Sequence, residues 1–369
     1  MRITHVISDG NVGGAGILVS AIASALADEF ETELIIPRGS SLASRIECEH
    51  IKLTELPFAA DKSLSYSSVP TFYRYLRANP CHVLHSHASL AARLGGRLAG
   101  IPCCISTRHC AISADAAHRL PYHKRRLYSL LTDLTVSTAD CATDNLICEG
   151  VDPARIRTIK NGSKRHEKLN TGAVEAKRRQ LGIPQTARIV GCVGRLEDVK
   201  GQDLILRAAP RMLHAHPDLY FLFVGTGSRG ARYRELASVL GLGDRVIFTG
   251  YTPTPWEYQS LFYININPSR GTETSCLATS ECMAMGIPTV ASDFGGNREM
   301  IEDGVCGLLF PADNPAALAS AACRVLDDGE LYSALSRGAA LCYNQKFSEE
   351  RMIDEYRELY RALGARILA

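Results

Sequence analysis

The sequence has almost no excess of charge of either sign. Its 369 residues carry 41 lysines and arginines against 39 aspartates and glutamates, a formal net charge of +2. A dedicated nucleic-acid binder usually shows a clear basic excess, so the balance argues against a nucleic-acid partner. Long apolar runs are also missing, since none approaches the roughly 18 residues that a membrane-spanning helix needs. A strand-like pattern begins at Arg2 and leaves no room for a signal peptide, so we expect a cytoplasmic protein.

Regularly spaced cysteines are lacking as well. The chain has thirteen cysteines, an odd number; Cys103 and Cys104 are adjacent, and no C-x-x-C pair occurs. Disulfide frameworks and zinc sites need characteristic spacings, so neither is predicted. Most of the thiols stand in apolar segments, which favours buried cysteines that act as small hydrophobic residues. A cysteine nucleophile has no local support.

The sequence does contain a regular alternation of short apolar strands with longer helical patterns. Strands rich in Val, Ile and Leu and separated by helices indicate parallel sheets covered on both faces. Twelve such strands exceed one doubly wound sheet, so the fold class is α/β with two Rossmann-like domains. The predicted strands are residues 3–8, 32–36, 83–85, 103–107, 134–137, 157–160, 188–193, 220–224, 246–249, 263–267, 289–292 and 307–310.

A polar stretch without periodicity, residues 161–173, is the best boundary between the two domains. We therefore predict a first domain over residues 1–165, a second over 166–346 and a terminal helix over 347–369. Apolar residues at helical spacing give that helix one buried face. They are Met352, Tyr356, Leu359, Tyr360 and Leu363.

A glycine-rich loop, residues 10–16, follows the first strand and opens a helix. Glycines such as Gly13 and Gly14 let a ligand approach the backbone, and free amides at a helix start favour an anion. The loop does not match G-x-G-x-x-G, and no acidic residue ends the second strand, so a dinucleotide is not expected. Contact with a phosphate or a sugar is favoured, and a simple tight turn is the alternative.

Two further segments carry chemistry in the second half. Gly194–Gly201 reads G-R-L-E-D-V-K-G, and it places Arg195 and Lys200 after a parallel strand, where open α/β sheets bind ligands. A guanidinium and an ammonium together can clamp two phosphates. Downstream, Glu273 and Glu281 stand eight residues apart, about 12 Å along a helix. A helix beginning near Cys276 would point the amides of Leu277 and Ala278 at phosphates between the two carboxylates.

These motifs, with Gly295–Glu299 (G-G-N-R-E) downstream, make the chain resemble the retaining glycosyltransferases of family four. The resemblance covers essentially the whole chain and implies the GT-B fold, in which two Rossmann-like domains face each other and a terminal helix returns toward the first. It implies that Arg195 and Lys200 hold the donor diphosphate. Glu281 would bind the ribose hydroxyls and Glu273 the donor sugar. The family's E-x7-E motif corresponds to the two glutamates.

The sequence departs from the family pattern at two places. Asn161-Gly162 is similar to the family's N-G at the domain crossover, but Lys164 stands where an aspartate is usual. Thr274-Ser275-Cys276 replaces the G-F-G of many relatives after the first glutamate, which puts a glycine-dependent conformation there in doubt. The backbone amides of this segment can still contact the donor phosphates.

Three histidines lie at the ends of strands in the first half. His109 resembles the family's active-site histidine, which implies a contact with the donor sugar near the reacting carbon. His85 and His87 are weaker candidates for acceptor contact, and filling of the core or surface is their alternative. They are not predicted to bind a metal, because no third ligand has suitable spacing.

The function that follows is transfer of a sugar from a nucleoside-diphosphate sugar to a hydroxyl of a glycan or lipid-linked acceptor, with retention, in polysaccharide or glycoconjugate biosynthesis. No cofactor is expected, and no metal, since the chain has no D-x-D motif to hold one. Lys124, Arg125 and Arg126 predict weak peripheral association with the inner face of the cytoplasmic membrane, although an ordinary solvated helix face would look the same. The alternatives are a nucleotide-sugar epimerase or phosphorylase of the same fold, or a non-catalytic sugar-nucleotide-binding protein.

Overall fold

The structure is a computed structural model, which describes residues 1–10, 13–45, 50–111, 120–271 and 273–368. The chain divides into two compact units. Unit 1 comprises Met1–Asn161 together with Glu350–Ala369, and unit 2 comprises Gly162–Glu349. The chain therefore passes from one unit to the other within the Asn161-Gly162 pair, four residues before the expected domain end. The terminal segment that groups with unit 1 begins three residues later than expected.

Each unit contains one sheet, and all its paired strands are parallel. The strands are β1 (Arg2–Ile7), β2 (Glu31–Pro37), β3 (Lys52–Leu56), β4 (Val83–His87), β5 (Cys103–Arg108), β6 (Leu134–Ser137), β7 (Ile156–Thr158), β8 (Arg188–Val193), β9 (Leu219–Val224), β10 (Val246–Gly250), β11 (Ile264–Asn267), β12 (Thr289–Ser292) and β13 (Gly307–Phe310). Their order is β3-β2-β1-β4-β5-β6-β7 in unit 1 and β10-β9-β8-β11-β12-β13 in unit 2.

Helices connect most successive strands, as parallel pairing requires. They are α1 (Gly14–Ala25), α2 (Val69–Ala78), α3 (Leu90–Ala99), α4 (Tyr122–Leu131), α5 (Asp140–Glu149), α6 (Thr171–Gln180), α7 (Gln202–Ala215), α8 (Gly230–Val239), α9 (Pro255–Gln259), α10 (Leu277–Ala284), α11 (Asn297–Met300), α12 (Pro315–Asp327), α13 (Gly329–Cys342) and α14 (Glu349–Leu368). No helix within the described ranges combines the length and the apolarity that crossing a membrane demands.

The sequence analysis missed one strand, β3. It lies at the edge of its sheet, and only two of its five residues, Leu53 and Leu56, are apolar. Edge strands commonly carry charge, here Lys52 and Glu55, because charge discourages pairing with another chain. Such a strand lacks the apolar run by which the central strands were recognised.

The buried interior follows the expected pattern. The central strands β1 and β4 are buried over nearly their whole length, because helices cover both faces of the sheet. On α14, the predicted apolar face is buried: Tyr356 is 1% exposed and Tyr360 is fully buried. The cysteines of the described segments carry free thiols, and most of them are buried or half-buried.

Candidate active site

The first part of the site is the loop after β8 in unit 2. Arg195 is exposed, and no described carboxylate lies within ion-pair distance of its guanidinium. The side-chain amide of Gln202 donates to the Arg195 carbonyl at 2.8 Å, which fixes the loop above α7. Gly201 turns the chain with a φ of +67°, and a Cβ there would lie 2.2 Å from the Pro268 carbonyl oxygen. Only glycine fits this turn, which directs Lys200 toward the strand ends.

Lys200 and Glu273 form the centre of the site. The Lys200 ammonium donates to Oε2 of Glu273 at 2.7 Å, and the Ser269 hydroxyl donates to the same oxygen at 2.8 Å. Burial of the ammonium is the largest single effect and opposes its charge, but Glu273 and Cys276 together outweigh it and raise the pKa of Lys200 above its usual value. The ammonium is therefore charged at neutral pH.

A buried polar network holds the loop that carries Glu273. The side-chain amide of Asn267, at the end of β11, donates to Asn297 at 2.8 Å, and Asn297 donates to the Ser292 hydroxyl at 3.0 Å. The amide of Gly296 donates to the Glu273 carbonyl at 3.1 Å. A Cβ on Gly296 would lie 1.4 Å from the Thr274 carbonyl oxygen. The G-G-N segment thus packs against the backbone of Glu273 and Thr274 and holds Glu273 in place.

Glu281 lies on α10, where Gln259 is its partner. The Gln259 side-chain amide donates both to Oε2 of Glu281 and to the Ala278 carbonyl, at 3.0 Å each. Desolvation raises the pKa of Glu281 to about 7, although the hydrogen bond from Gln259 works in the opposite direction. Gln259 was not predicted, since a single glutamine on the short helix α9 has no sequence signal.

The N-terminus of α10 lies between the two glutamates. Its first-turn amides, at Leu277 and Ala278, have no partner inside the helix, and both residues are half-buried rather than enclosed. Cys276 precedes the helix in an extended conformation, with φ −78° and ψ 108°. None of residues 273–276 has a positive φ. The segment that replaces G-F-G therefore reaches the helix start without glycine.

In unit 1, the predicted glycines lie at the start of α1. Gly13 precedes the helix in an extended conformation, and Gly14 is its first residue. Gly13 is half-buried and Gly14 is exposed, so the start of the helix lies at the surface of the unit. Asn11 and Val12 of the same loop lie outside the described residues.

His109 lies just after β5, and it belongs to a cluster of histidines. Nε2 of His109 lies 3.1 Å from Nδ1 of His87. His87 and His85 are buried, 1% and 0% exposed, which argues against the acceptor contact expected of them. His5 of β1 joins the cluster, and a nitrogen from each of His5, His85 and His87 lies within 4.8 Å of the others. Spacing along the sequence suggested no third ligand, because His5 lies about 80 residues away.

Family models and curated relatives match this chain. The model of the family described as Glycosyltransferase Family 4 matches residues 12–164, and that of Glycosyl transferases group 1 matches residues 173–341. The chain is 33% identical over 308 residues to a D-inositol 3-phosphate glycosyltransferase of Acidothermus cellulolyticus, an alignment that covers 76% of this chain and 66% of that protein. It is 28% identical to the Thermomonospora curvata protein of the same description, over 95% of this chain and 91% of that one.

Solved structures share the fold over nearly the full length. Anabaena Alr3699/HepE in complex with UDP-glucose has a TM-score of 0.84 at 19% identity, covering 98% of this chain and all of that one. Sucrose-phosphate synthase of Thermosynechococcus elongatus has a TM-score of 0.81 at 21% identity, covering 99% and 100%. Two parallel Rossmann-like sheets with these neighbours define the GT-B fold class. Within that class, the chain belongs to glycosyltransferase family 4.

Proposed function

We propose that the chain transfers a glycosyl group from a nucleoside-diphosphate sugar to an acceptor hydroxyl, with retention at the anomeric carbon. The observation that carries the proposal is the Lys200–Glu273 pair at the strand ends, beside the exposed guanidinium of Arg195 and the first turn of α10. Two cations and helix amides suit a diphosphate, and carboxylates suit sugar hydroxyls.

The chemistry requires that the departing diphosphate be stabilised. The bond from the anomeric carbon to the phosphate oxygen breaks, and a bond to the acceptor oxygen forms on the same face. The acceptor proton passes to the leaving phosphate, so no separate protein base is needed. Arg195, Lys200 and the amides at Leu277 and Ala278 supply the electrostatic stabilisation. With these charges in place, the proposed reaction needs no metal or other cofactor.

Relatives suggest which substrates to test first. The HepE structures contain UDP and UDP-glucose, and the curated relatives are described as D-inositol 3-phosphate glycosyltransferases. We therefore infer a uridine diphosphate sugar as donor and a phosphorylated polyol, a glycan or a lipid-linked glycan as acceptor. Synthesis of a polysaccharide or glycoconjugate would use such a reaction.

We also infer a weak, peripheral contact with the inner face of the cytoplasmic membrane. Helix α4 exposes Tyr122, Lys124 and Arg126, and Leu130 of the same helix is 68% exposed. Each cation near an anionic surface contributes only about 1 kcal/mol, so the attachment would be reversible and sensitive to salt.

The two glutamates provide the test of the donor site. Glu281→Ala should weaken the binding of UDP measured by calorimetry, because its proposed partner is the ribose. Glu273→Ala should leave UDP binding nearly unchanged and reduce transfer, because its proposed partner is the sugar. The opposite pattern would reverse the two roles, and full activity of both variants would refute the site. An epimerase or phosphorylase would not need a glycosyl acceptor to release nucleoside diphosphate, and a non-catalytic protein would bind without release.

A further inference from the structure

Four histidines of unit 1 lie side by side on one face of its sheet. His5 of β1 pairs in register with His85 of β4, and His87 follows two residues later on the same face. His87 in turn pairs in register with Thr107 of β5, two residues before His109. Strand pairing therefore brings together residues that are far apart in the sequence. Helix α14 closes the cluster with Tyr360, whose ring meets those of His5 and His85.

Hydrogen bonds join these rings into two short rows. In the first, Nδ1 of His5 lies 3.1 Å from Nε2 of His87, and Nδ1 of His87 lies 3.1 Å from Nε2 of His109. In the second, Nδ1 of His85 lies 2.7 Å from the Tyr360 hydroxyl, and Nε2 of His85 lies 2.6 Å from the hydroxyl of Thr107. The rows meet where the Tyr360 hydroxyl lies 3.5 Å from Nε2 of His5.

All four imidazoles are neutral at pH 7. Burial lowers the pKa of His5 to about 3 and that of His109 to about 4. It also holds the pKa values of His85 and His87 well below the usual range, and the neighbouring histidines add to that effect. A neutral imidazole has one donor nitrogen and one acceptor nitrogen. The hydrogen bonds of each row must therefore all run in one direction. If His5 donates to His87, then His87 must donate to His109. If His109 donates to His87 instead, then His87 must donate to His5.

We propose that His5 and His87 are positioning residues that fix the ring orientation and tautomer of His109. The proposal rests on the proposed function, because the family resemblance implies a contact between His109 and the donor sugar. In one order His109 presents Nδ1–H to its surroundings, and in the other it presents an Nδ1 lone pair. Toward a sugar hydroxyl, Nδ1–H is a hydrogen-bond donor and the Nδ1 lone pair is an acceptor. A fixed direction of the row therefore makes His109 either a donor or an acceptor, and not both.

A metal ion is the competing explanation of the cluster, since the nitrogens of His5, His85 and His87 lie close enough to share one. Both nitrogens of His85 already bond to hydroxyls of Tyr360 and Thr107, and His5 and His87 bond to each other. Binding of a metal would have to break these bonds. The hydrogen-bonded rows account for the contacts without it.

The test compares two amide substitutions at His5 in the full chain. The amide nitrogen and oxygen of asparagine lie two bonds from Cβ, as Nδ1 of histidine does. Those of glutamine lie three bonds from Cβ, as Nε2 of histidine does. His5→Asn can thus keep a polar partner for His87, whereas His5→Gln loses it. Long-range ¹H–¹⁵N spectra of ¹⁵N-histidine-labelled protein report the tautomer of His109 without substrate or turnover. Failure of the proposed function would therefore leave this measurement interpretable.

We expect one His109 tautomer in the wild type and in His5→Asn, and a mixture in His5→Gln. The kcat of His5→Gln should fall about tenfold or more while the donor KM holds, as when the partner that orients a functional histidine is removed. Tyr128→Phe removes a hydroxyl bonded to Ser106 and Thr135, outside the rows, and serves as the control. If His5→Gln does not fold, His87→Gln, which loses the Nδ1 that faces His109, replaces it with the same expectation.

Three results would overturn the proposal. The first is a wild-type His109 tautomer in a folded His5→Gln protein. The second is the same mixture in His5→Asn and His5→Gln, which would trace the effect to loss of the ring itself. The third is one equivalent of zinc in the purified wild type that is lost in His5→Gln.

Discussion

Lys200 and Glu273 are joined by a 2.7 Å ion pair, although 73 residues separate them in the sequence. The pair connects the loop after β8 with the loop after β11, so it aligns the two segments before any ligand binds. An ammonium has three donors, and only one of them is used on Glu273. Lys200 can therefore hold the carboxylate in place and still donate to a phosphate.

Loss of this pair should lower stability as well as activity. Lys200→Met leaves the carboxylate of Glu273, 5% exposed, without its cation. Breaking a buried pair in this way costs several kcal/mol, and partial exposure of Lys200 reduces the cost here to about 2 kcal/mol. Urea unfolding measures the loss. The double variant Lys200→Met/Glu273→Gln should recover most of the stability but none of the turnover. If the double variant is no more stable than Lys200→Met, the stability lost in Lys200→Met does not come from the unpaired Glu273 carboxylate.

Nucleotide binding should depend on pH through Glu281. Its pKa, about 7 in the free protein, should fall when ribose hydroxyls donate to the carboxylate, because hydrogen bonds to the charged form favour it. Binding then releases a proton near pH 7, and the affinity for UDP should rise between pH 6 and pH 8 and level off above. Calorimetry in buffers of different ionisation enthalpy counts the proton. Glu281→Gln is the control for titration of the phosphate of UDP. If UDP affinity depends on pH in this variant as it does in the wild type, Glu281 is not the group that titrates.

Gly296 should tolerate no side chain. Gly296→Ala places a methyl group against the Thr274 carbonyl, and the segment that carries Glu273 must move. Overpacking of this kind costs about 1–3 kcal/mol, and displacement of Glu273 should reduce turnover further. Gly329→Ala is the matched control, since nothing lies within 4 Å of its Cβ. Thermal unfolding and turnover of the two variants should differ clearly, and equal behaviour would show that the G-G-N segment does not support the site.

The sequence alone predicted most of the central strands and the separate segments that form the candidate donor site. Apolar strands such as β8 and β12 are recognisable because helices cover both their faces. The motif around Arg195 and Lys200 is recognisable because its residues are close together in the chain. The Lys200–Glu273 pair is different, since it depends on the adjacency of β8 and β11 in the sheet.

The residues that support the site were harder to predict. His5 is a single polar residue in the apolar strand Arg2–Ile7, which is a weak signal that gains meaning only beside β4. Gln259 is buried under α10 and has no motif. For His85 and His87 the sequence left acceptor contact and filling of the core or surface open, and the structure buries both, with Tyr356 and Tyr360 of α14 against His85. Contacts between distant elements determine all three outcomes.

Membrane association through α4 should depend on salt. The wild type should co-sediment with vesicles rich in anionic phospholipid at low ionic strength, and binding should be lost at high salt, because screening weakens surface charge. Replacement of Lys124, Arg125 and Arg126 by alanine should abolish it, while neutral vesicles should bind neither protein. No binding at low salt, or binding by the triple variant equal to that of the wild type, would refute the contact.

Acceptor-dependent release of nucleoside diphosphate is the most direct test of the proposed glycosyl transfer. The wild type is incubated with a panel of nucleoside-diphosphate sugars, UDP-glucose first, with and without acceptors such as inositol 3-phosphate, and the product's anomeric configuration is read by NMR. We predict release that requires an acceptor, a product with retained configuration, and a rate lower by about 100-fold in Arg195→Ala. Arg211→Ala, an exposed arginine near the end of α7, should behave as the wild type. Release without acceptor, an inverted product, or wild-type rates in Arg195→Ala would contradict the proposed function.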